Sequence, residues 1–262
     1  MILEEIAEYT AKRYEEVQNL KPLEEIKREA LLMNTDTGFP FEKAIAKQGI
    51  SYICEVKKAS PSKGVIAQDF PYVQIAKDYE QAGASAISVL TEPKYFMGCN
   101  DYLKEISKNV SIPLLRKDFT VCDYQIYEAK TIGASAVLLI CALNDTQTLK
   151  RRIELSRSLG LSALVEAHDE REIDSAINAG AKIIGVNNRN LRDFTVDINN
   201  CINLRKLVPD DILFIGESGI KTSGDIDALR NANVNGVLIG ETLMRGSNKA
   251  LELKKLNGGD LA

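Results

Sequence analysis

The segment TIGASAVLLICA (Thr131–Ala142) follows nearly the same plan as QAGASAISVLTE (Gln81–Glu92) earlier in the chain. Each segment contains the end of a helix, a glycine, a short apolar strand and then a polar loop. The plan returns in NAGAKIIGVNN (Asn178–Asn188) and ANVNGVLIGE (Ala232–Glu241), and less closely in SLGLSALVEAH (Ser158–His168). Because the unit recurs at roughly 25 residues, the chain repeats one strand and one helix.

Amphipathic segments separate these apolar runs, and an alternation of strands and helices predicts a parallel sheet. We predict eight strands, at about residues 52–57, 86–91, 112–117, 136–141, 162–167, 182–187, 212–216 and 236–239. Eight units favour an α/β fold of the (β/α)8 TIM barrel type. The alternative is an open, doubly wound sheet, which would need a glycine-rich nucleotide loop after a strand. The sequence contains no GxGxxG or GxxxxGK[ST] motif, so we favour the barrel.

The chain begins with a segment that the barrel does not require. Residues 1–47 hold two charged amphipathic stretches, ILEEIAEYTAKRYEEVQNL and LEEIKREALLM, which predict an N-terminal helical extension. The extension either caps one end of the barrel or offers a surface to a partner. Residues 48–262 are predicted to form the barrel as a single catalytic domain, which ends in a closing helix and a tail after residue 246.

Composition narrows the functional classes. The chain has 262 residues, 27% of them charged, and a net charge of −4, which favours neither nucleic acid nor an anionic membrane. Its longest apolar run, AVLLICAL, is too short to cross a bilayer. Five cysteines without a CxxC pair, and one histidine, predict no metal site and a reduced, cytoplasmic setting. We expect no cofactor and no obligate protein partner.

Charged residues occupy the carboxyl ends of several predicted strands. In IPLLRKDFT (Ile112–Thr120), side chains alternate between the two faces, so Lys117 shares the inward face with Leu115. Arg116 and Asp118 are then predicted to point outward and to pair.

The same alternation of inward and outward side chains applies to other strands. It predicts that Lys57, Lys117, Glu166 and Glu217 meet at one rim, with Glu55 on the inner face of the first strand and Asn187 joining from the sixth. At a partly dehydrated opening of the barrel, two lysines and two carboxylates shift one another's pKa values. Acid–base catalysis requires such shifted pKa values. We expect His168 to be the polar start of the following helix.

Two turns at the end of the chain are typical of a phosphate site. GESGI (Gly216–Ile220) and GVLIGETLM (Gly236–Met244) follow the seventh and eighth strands, where barrels of this type often bind phosphate. The backbone amides of Ser218, Gly219, Gly240 and Glu241 are the predicted donors. The carboxylate of Glu241 must then point away from the phosphate. The alternative to a phosphate site is that both segments are ordinary turns between a strand and a helix.

These motifs together resemble the indole-3-glycerol-phosphate synthase family. The matching segments are EVKKASPSKG, LTEPKYFMG, LLRKDF, LVEAHDE, GVNNRNL, GESGI and GETLM, in order and at family-like spacing across residues 50–246. The resemblance implies a barrel that closes the ring of a carboxyphenylamino-deoxyribulose phosphate with loss of carbon dioxide and water.

The resemblance also implies roles for individual residues. Lys117 looks like the general acid at the substrate carbonyl, Lys57 like the partner of the substrate carboxylate, and Glu166 like the acid–base group for dehydration. Glu55, Asn187 and Glu217 look like orienting residues. Ser60 and Arg189 look like ligand-holding or loop-holding residues, and Phe96 and Phe119 are candidates for an apolar wall against the anthranilate ring.

Other functions stay open at this point. A phosphoribosyl-anthranilate isomerase or a related sugar-phosphate isomerase would share the barrel and the phosphate turns. It would, however, require a Cys/Asp or Asp/Asp acid–base pair at the ends of strands one and five, where this chain carries Lys57 and Glu166. A non-catalytic barrel that binds a phosphorylated ligand would leave those residues and Lys117 unexplained. A structural role through the N-terminal helices is the remaining alternative.

Overall fold

A computed structural model describes residues 2–190, 193–246 and 248–258. Its eight main strands are Ser51–Val56 (β1), Ala86–Leu90 (β2), Leu114–Lys117 (β3), Ala136–Ile140 (β4), Ser162–Ala167 (β5), Ile183–Asn187 (β6), Leu213–Glu217 (β7) and Gly236–Ile239 (β8). Each strand pairs in parallel with the next along the chain, and β8 pairs with β1, which closes the barrel. The prediction of a (β/α)8 barrel is therefore confirmed.

The helices are Ile2–Leu20 (α1), Leu23–Leu32 (α2), Pro40–Ile45 (α3), Tyr72–Gln81 (α4), Asn100–Ile106 (α5), Asp123–Thr131 (α6), Thr146–Ser158 (α7), Glu170–Asn178 (α8), Ile198–Arg205 (α9), Ser223–Asn231 (α10), Glu241–Arg245 (α11) and Lys249–Leu256 (α12). A short 3₁₀ turn covers Cys141–Leu143, and a small hairpin in the loop after β1 pairs Ala59–Ser60 with Gly64–Val65. The eight predicted strands all occur. The third begins later than predicted, at Leu114, directly after Pro113, whose nitrogen has no hydrogen to donate to a strand ladder.

The strands are apolar on both faces because both faces are buried. The inward side chains form one core cluster, which includes Ile53, Leu115, Leu138, Leu164 and Ile215. The outward side chains pack against the ring of helices in a second, larger cluster, which includes Val137, Leu139, Val165, Ile184 and Phe214. This arrangement leaves only the strand ends free to carry polar side chains into the barrel interior.

Side-chain caps fix where several outer helices begin. Asp145, Asp169 and Asp197 accept backbone hydrogen bonds at the starts of α7, α8 and α9, and Thr222 forms a reciprocal capping box with Asp225 at α10. Each such cap stabilises its helix by about 1 kcal/mol. The loop between strand and helix is thereby held short at the carboxyl end of the barrel.

The N-terminal extension touches both ends of the barrel. Helix α3 buries Phe41 and Ile45 in the inner cluster, and Ser51, the first residue of β1, donates a hydrogen bond to the carbonyl of Ala44, so α3 lies at the amino ends of the strands. At the opposite end, Leu3 of α1 joins the same inner cluster. The two predicted helices occur as α1 and α2, and α3 is a third that the charge pattern did not predict.

Among the described residues, no helix is long and apolar enough to cross a membrane. The last residues of the predicted tail, 259–262, and Ser247 lie outside the described residues.

Candidate active site

A cavity of about 580 Å³ opens at the carboxyl ends of the strands, with Ile2, Leu3 and Ile6 of α1 in its wall. Every site residue predicted from the sequence lines this cavity: Glu55, Lys57, Ser60, Phe96, Lys117, Phe119, Glu166, Asn187, Arg189, Glu217, Ser218, Gly219, Gly240 and Glu241. The structure thus brings together all of the predicted positions, although their chemical roles stay predictions.

Strand register brings the charged residues to one level of the barrel. Glu166 on β5 lies opposite Gly185 on β6, and Glu217 on β7 lies opposite Asn187 on β6. A β-carbon at Gly185 would lie 2.3 Å from Oε1 of Glu217. Glycine at this position therefore makes room for the Glu217 carboxyl group inside the barrel.

Lys117 lies between two carboxyl groups. Its Nζ is 3.2 Å from Oε2 of Glu166 and 3.7 Å from Oε2 of Glu217. Asn187 Nδ2 donates to the other Glu166 oxygen at 3.5 Å. All of these side chains are largely buried, so they act on one another in a medium that screens charge poorly.

A second ion pair lies beside the first, at the end of β1. Lys57 Nζ donates to Oε2 of Glu55, which is itself almost fully buried. A β-carbon at Gly240 would lie 2.2 Å from that carboxylate oxygen and 2.8 Å from the Lys57 nitrogen. A larger residue at Gly240 would push this ion pair aside, because the pair packs directly against the backbone of the turn after β8.

Burial opposes the charge on Lys117, but the carboxylates of Glu166, Glu217 and Glu55 outweigh it and raise the pKa of Lys117 above its ordinary value. Burial likewise opposes ionisation of Glu166. The charges of Lys117 and His168, with hydrogen bonds from Lys117 and Asn187, reverse this and lower the pKa of Glu166. The free site therefore holds an ammonium and a carboxylate in contact at neutral pH.

Glu217 behaves differently. Burial, reinforced by the negative charge of Glu166, raises the pKa of Glu217 to about 8. Among the described residues no group forms a hydrogen bond to its buried Oε1. A neutral carboxyl group here can donate a hydrogen bond, which an ionised one cannot.

The raised pKa of Glu217 predicts a pH-dependent stability. The unfolded chain ionises this group near its ordinary value of 4.5, whereas the folded protein keeps the proton up to about pH 8. Folding stability is thus lost as pH rises across that window. Urea unfolding of wild type and Glu217→Gln at pH 5.5 and 8.5 should show a steeper loss for the wild type, by on the order of 3 kcal/mol. Parallel pH profiles would contradict the assignment.

The two turns that are predicted to bind phosphate differ in backbone conformation. Ser218 and Gly219 both have positive φ angles, 65° and 82°, and Gly240 directly precedes helix α11. The Glu241 carboxylate is engaged by two cations, with Nε of Arg245 at 3.1 Å and Nζ of Lys63 at 3.9 Å. Its negative charge is therefore partly compensated beside the turn.

Sequence reasoning missed three basic residues that line this side of the cavity: Lys63, Lys221 and Arg245. Lys63 and Lys221 belong to the loops that follow β1 and β7, and Arg245 ends α11. Their position after strand ends was visible in the sequence, but charge at exposed loop positions is too common to be diagnostic.

Two aromatic rings form part of the wall. Phe96 and Phe119 lie with ring centroids 5.9 Å apart at an angle of 38°. Phe96 is positioned by Glu92, a fully buried carboxylate that accepts hydrogen bonds from the backbone of Lys94, Tyr95 and Phe96. Sequence reasoning missed Glu92. The feature of the sequence that could have identified Glu92 is an acidic residue that follows a strand and directly precedes a proline.

Arg189 and Ser60 lie on loops of the cavity wall. Nη1 of Arg189 donates to the carbonyl of Phe194 at 3.4 Å, and an isolated bridge joins Arg189 to Val196, so the side chain holds its own loop. Ser60 lies in the small hairpin after β1. The last residue of the GVNNRNL motif, Leu191, lies outside the described residues.

His168 lies closer to the site than predicted. Helix α8 begins at Glu170 with Asp169 as its cap, so His168 precedes the helix. Its Nε2 is 3.5 Å from Oε1 of Glu166, and its Nδ1 is 3.0 Å from Oε2 of Glu172. The spacing of His168 and Glu172, four residues apart, was the signal that could have identified this contact.

The outward pair predicted after β3 is present and buried. Nη2 of Arg116 is 3.5 Å from Oδ2 of Asp118, and it also contacts Glu128 at 2.7 Å and the hydroxyl of Tyr14 at 2.7 Å. Arg13 adds a further contact to Asp118 at 3.2 Å. Helix α1 is therefore fastened to the barrel directly behind Lys117.

A closed barrel whose mouth holds lysine ammonium groups and glutamate carboxylates in contact defines an acid–base enzyme of the (β/α)8 class. A family model described as "Indole-3-glycerol phosphate synthase" matches residues 3–256. A curated protein of that name from Ruminiclostridium cellulolyticum is 58% identical over 98% of this chain and 99% of its own length, and one from Endomicrobium trichonymphae is 55% identical over 98% and 99%. The chain belongs to the indole-3-glycerol phosphate synthase family.

Solved structures with low sequence identity share the fold alone. A 3-hexulose-6-phosphate synthase matches with a TM-score of 0.64 and 13% identity, covering 80% of this chain and 99% of that chain. A thiamine phosphate pyrophosphorylase from Pyrococcus furiosus matches with a TM-score of 0.58 and 14% identity, covering 83% and 96%.

Proposed function

We infer that this protein is an indole-3-glycerol-phosphate synthase of tryptophan biosynthesis. It closes the ring of a carboxyphenylamino-deoxyribulose phosphate and releases carbon dioxide and water. The observation that carries this inference is the buried contact of Lys117 with Glu166 and Glu217 in a cavity that also holds two phosphate-type turns. Family membership over residues 3–256 supports the same reaction.

Lys117 acts first in the proposed mechanism. The aromatic carbon that bears the carboxylate attacks the substrate carbonyl, and negative charge develops on the carbonyl oxygen. The contact of Lys117 with the ionised Glu166 keeps it protonated, so it donates that proton as the bond forms. A fixed ammonium group in a dry site lowers this barrier more than water would, because it need not reorient.

Lys57 and the aromatic wall act on the anthranilate part. Lys57 Nζ, held by Glu55 at the end of β1, is the proposed partner of the substrate carboxylate. Phe96 and Phe119 lie close enough to each other to bound an aromatic ring. Carbon dioxide then leaves, and this step restores the aromaticity lost in ring closure, so it needs no electron-accepting cofactor.

Glu166 is the proposed acid–base group of dehydration. Its lowered pKa keeps it ionised, so it takes a proton from the carbon beside the nitrogen while the hydroxyl group departs. Asn187 orients Glu166 through its 3.5 Å contact. Glu217, neutral up to about pH 8, is proposed to donate a hydrogen bond to a substrate hydroxyl group.

We propose that the phosphorylated end of the substrate binds at the turns of Ser218–Gly219 and Gly240–Glu241. Backbone amides supply directed donors there, and Lys63, Lys221 and Arg245 supply positive charge from the same side of the cavity. Five free cysteines support a reducing compartment such as the cytoplasm as the proposed location.

The test is product formation from the carboxyphenylamino-deoxyribulose phosphate, followed by the fluorescence of the indole. We expect turnover by the wild type and none with a phosphoribosyl-anthranilate substrate. Binding of the phosphate without turnover, by folded protein, would contradict the synthase and support a non-catalytic barrel. Turnover of the phosphoribosyl-anthranilate alone would support the isomerase.

A further inference from the structure

The proposed reaction consumes one proton from solvent in every turnover. The carbonyl oxygen takes one proton as the ring closes, the departing hydroxyl group takes another to leave as water, and the carbon beside the nitrogen returns one. The balance of one proton matches the conversion of a substrate carboxylate into neutral carbon dioxide. Because Lys117 and Glu166 are largely buried, the proton that Lys117 gives up needs a route by which it is replaced.

His168 occupies the position that such a route requires. Its Nε2 is buried, has no hydrogen-bond partner among the described residues and faces Oε1 of Glu166 at 3.5 Å. The other Glu166 oxygen is 3.2 Å from Nζ of Lys117. On its outer side, Nδ1 of His168 contacts Glu172 at 3.0 Å, and the side chains of His168 and Glu172 are 20% and 21% exposed.

We propose that His168, held by Glu172, is the proton port of this active site. The imidazolium donates its Nε2 proton to the Glu166 carboxylate, and Glu166 passes the proton to the amine of Lys117 that ring closure has left neutral. The ring keeps its Nδ1 proton, so it must release Glu172 and turn until the emptied Nε2 reaches the partly exposed side, where it takes a proton from solvent. This inference rests on the proposed function, because it assigns the resupply of the proton that Lys117 donates.

The surroundings of the ring suit a cationic relay. Burial disfavours the imidazolium, but the hydrogen bond with Glu172 and the charges of Glu166 and Glu172 outweigh it and raise the pKa of His168. The backbone N–H of His168 donates to the same Glu172 oxygen at 2.8 Å, and Asn200 of α9 donates to the His168 carbonyl at 3.2 Å. These bonds hold the backbone of His168 in place beside Glu166.

The test separates the first turnover from the following ones. In His168→Ala, Lys117 still carries its proton before substrate arrives, so the first turnover should run at a rate close to that of the wild type. Later turnovers should be slower by about tenfold or more, because reloading lacks its donor. Imidazole added to the buffer should restore the steady rate with a dependence on imidazolium concentration. Glu172→Gln should show the same pattern more weakly.

The matched control is Asp174→Asn, which removes an exposed carboxylate from the same helix, α8. It should turn over at the wild-type rate throughout. Steady turnover of His168→Ala at the wild-type rate would overturn the proposal, because the proton then enters elsewhere. A slowed first turnover, or a steady-state loss that imidazole does not restore, would assign His168 a purely structural role and would overturn it as well. Wild type that forms no indole product would instead refute the proposed function.

Discussion

Lys117→Ala is expected to lower kcat by about two orders of magnitude or more, with a smaller change in KM. The physical reason is that the ammonium group acts on an oxygen that becomes negative only as the ring closes. Loss of an interaction made only in the transition state reduces kcat, while phosphate and carboxylate contacts that bind the substrate remain. Indole fluorescence from the carboxyphenylamino-deoxyribulose phosphate measures the rate directly.

The matched control for this substitution is Lys182→Ala, which removes an exposed lysine just before β6, at the amino end of the barrel. It should leave both constants unchanged. Lys57→Ala distinguishes the two lysines of the site, since we expect it to act mainly on binding and decarboxylation of the anthranilate carboxylate. Activity surviving in Lys117→Ala but lost in Lys57→Ala would move the proton donor to Lys57.

Arg116→Met is expected to destabilise the protein by about 3–5 kcal/mol. Arg116 is 2% exposed, and it is surrounded by Glu128, Asp118 and the Tyr14 hydroxyl. Removing the guanidinium group leaves the carboxylates of Glu128 and Asp118 with less compensation for their charge, which costs far more than the lost packing. Urea unfolding, followed by circular dichroism, measures the change in free energy.

Arg151→Met is the control for charge removal without burial. Arg151 pairs with Asp123 at the surface, where its side chain is 54% exposed, so its loss should cost no more than about 1 kcal/mol. The prediction for Arg116 fails if the two variants lose similar amounts. Limited proteolysis offers a second measurement, because α1 should become susceptible first once Tyr14 loses its arginine partner.

The sequence allowed prediction of the barrel and of the inward residues because both depend on short-range periodicity. The phase of β3 alone places Lys117 inward and Arg116 outward, and the structure has both. Likewise, apolar runs of strand length followed by a polar residue identified Glu166 and Glu217 at strand ends. These predictions need no knowledge of which strands are neighbours.

Contacts that depend on strand register, or on helices packed against the barrel, could not be predicted from local sequence periodicity. The clearance that Gly185 gives Glu217 follows from the register of β6 on β7, which no local pattern encodes. The hydrogen bond between Tyr14 and Arg116 joins segments far apart in the chain. The sequence of α1 was therefore equally compatible with a helix face that is exposed and with one that packs on the barrel. His168 was predicted only as the start of the next helix for a similar reason, since the meaning of its position depends on the Glu166 side chain beside it.

The placement of Leu3 has a consequence for synthesis on the ribosome. Leu3 precedes the whole barrel in the chain, yet it belongs to the same inner cluster as Leu238 of β8, the last of the eight barrel strands in chain order. At roughly 5–20 residues per second, its apolar side chain has no finished barrel mouth to enter for about ten seconds or longer. The Leu3 side chain must therefore stay exposed or be sheltered by a chaperone until β8 has been made. Synthesis of β8, rather than formation of α1, sets the earliest moment at which the mouth can be covered.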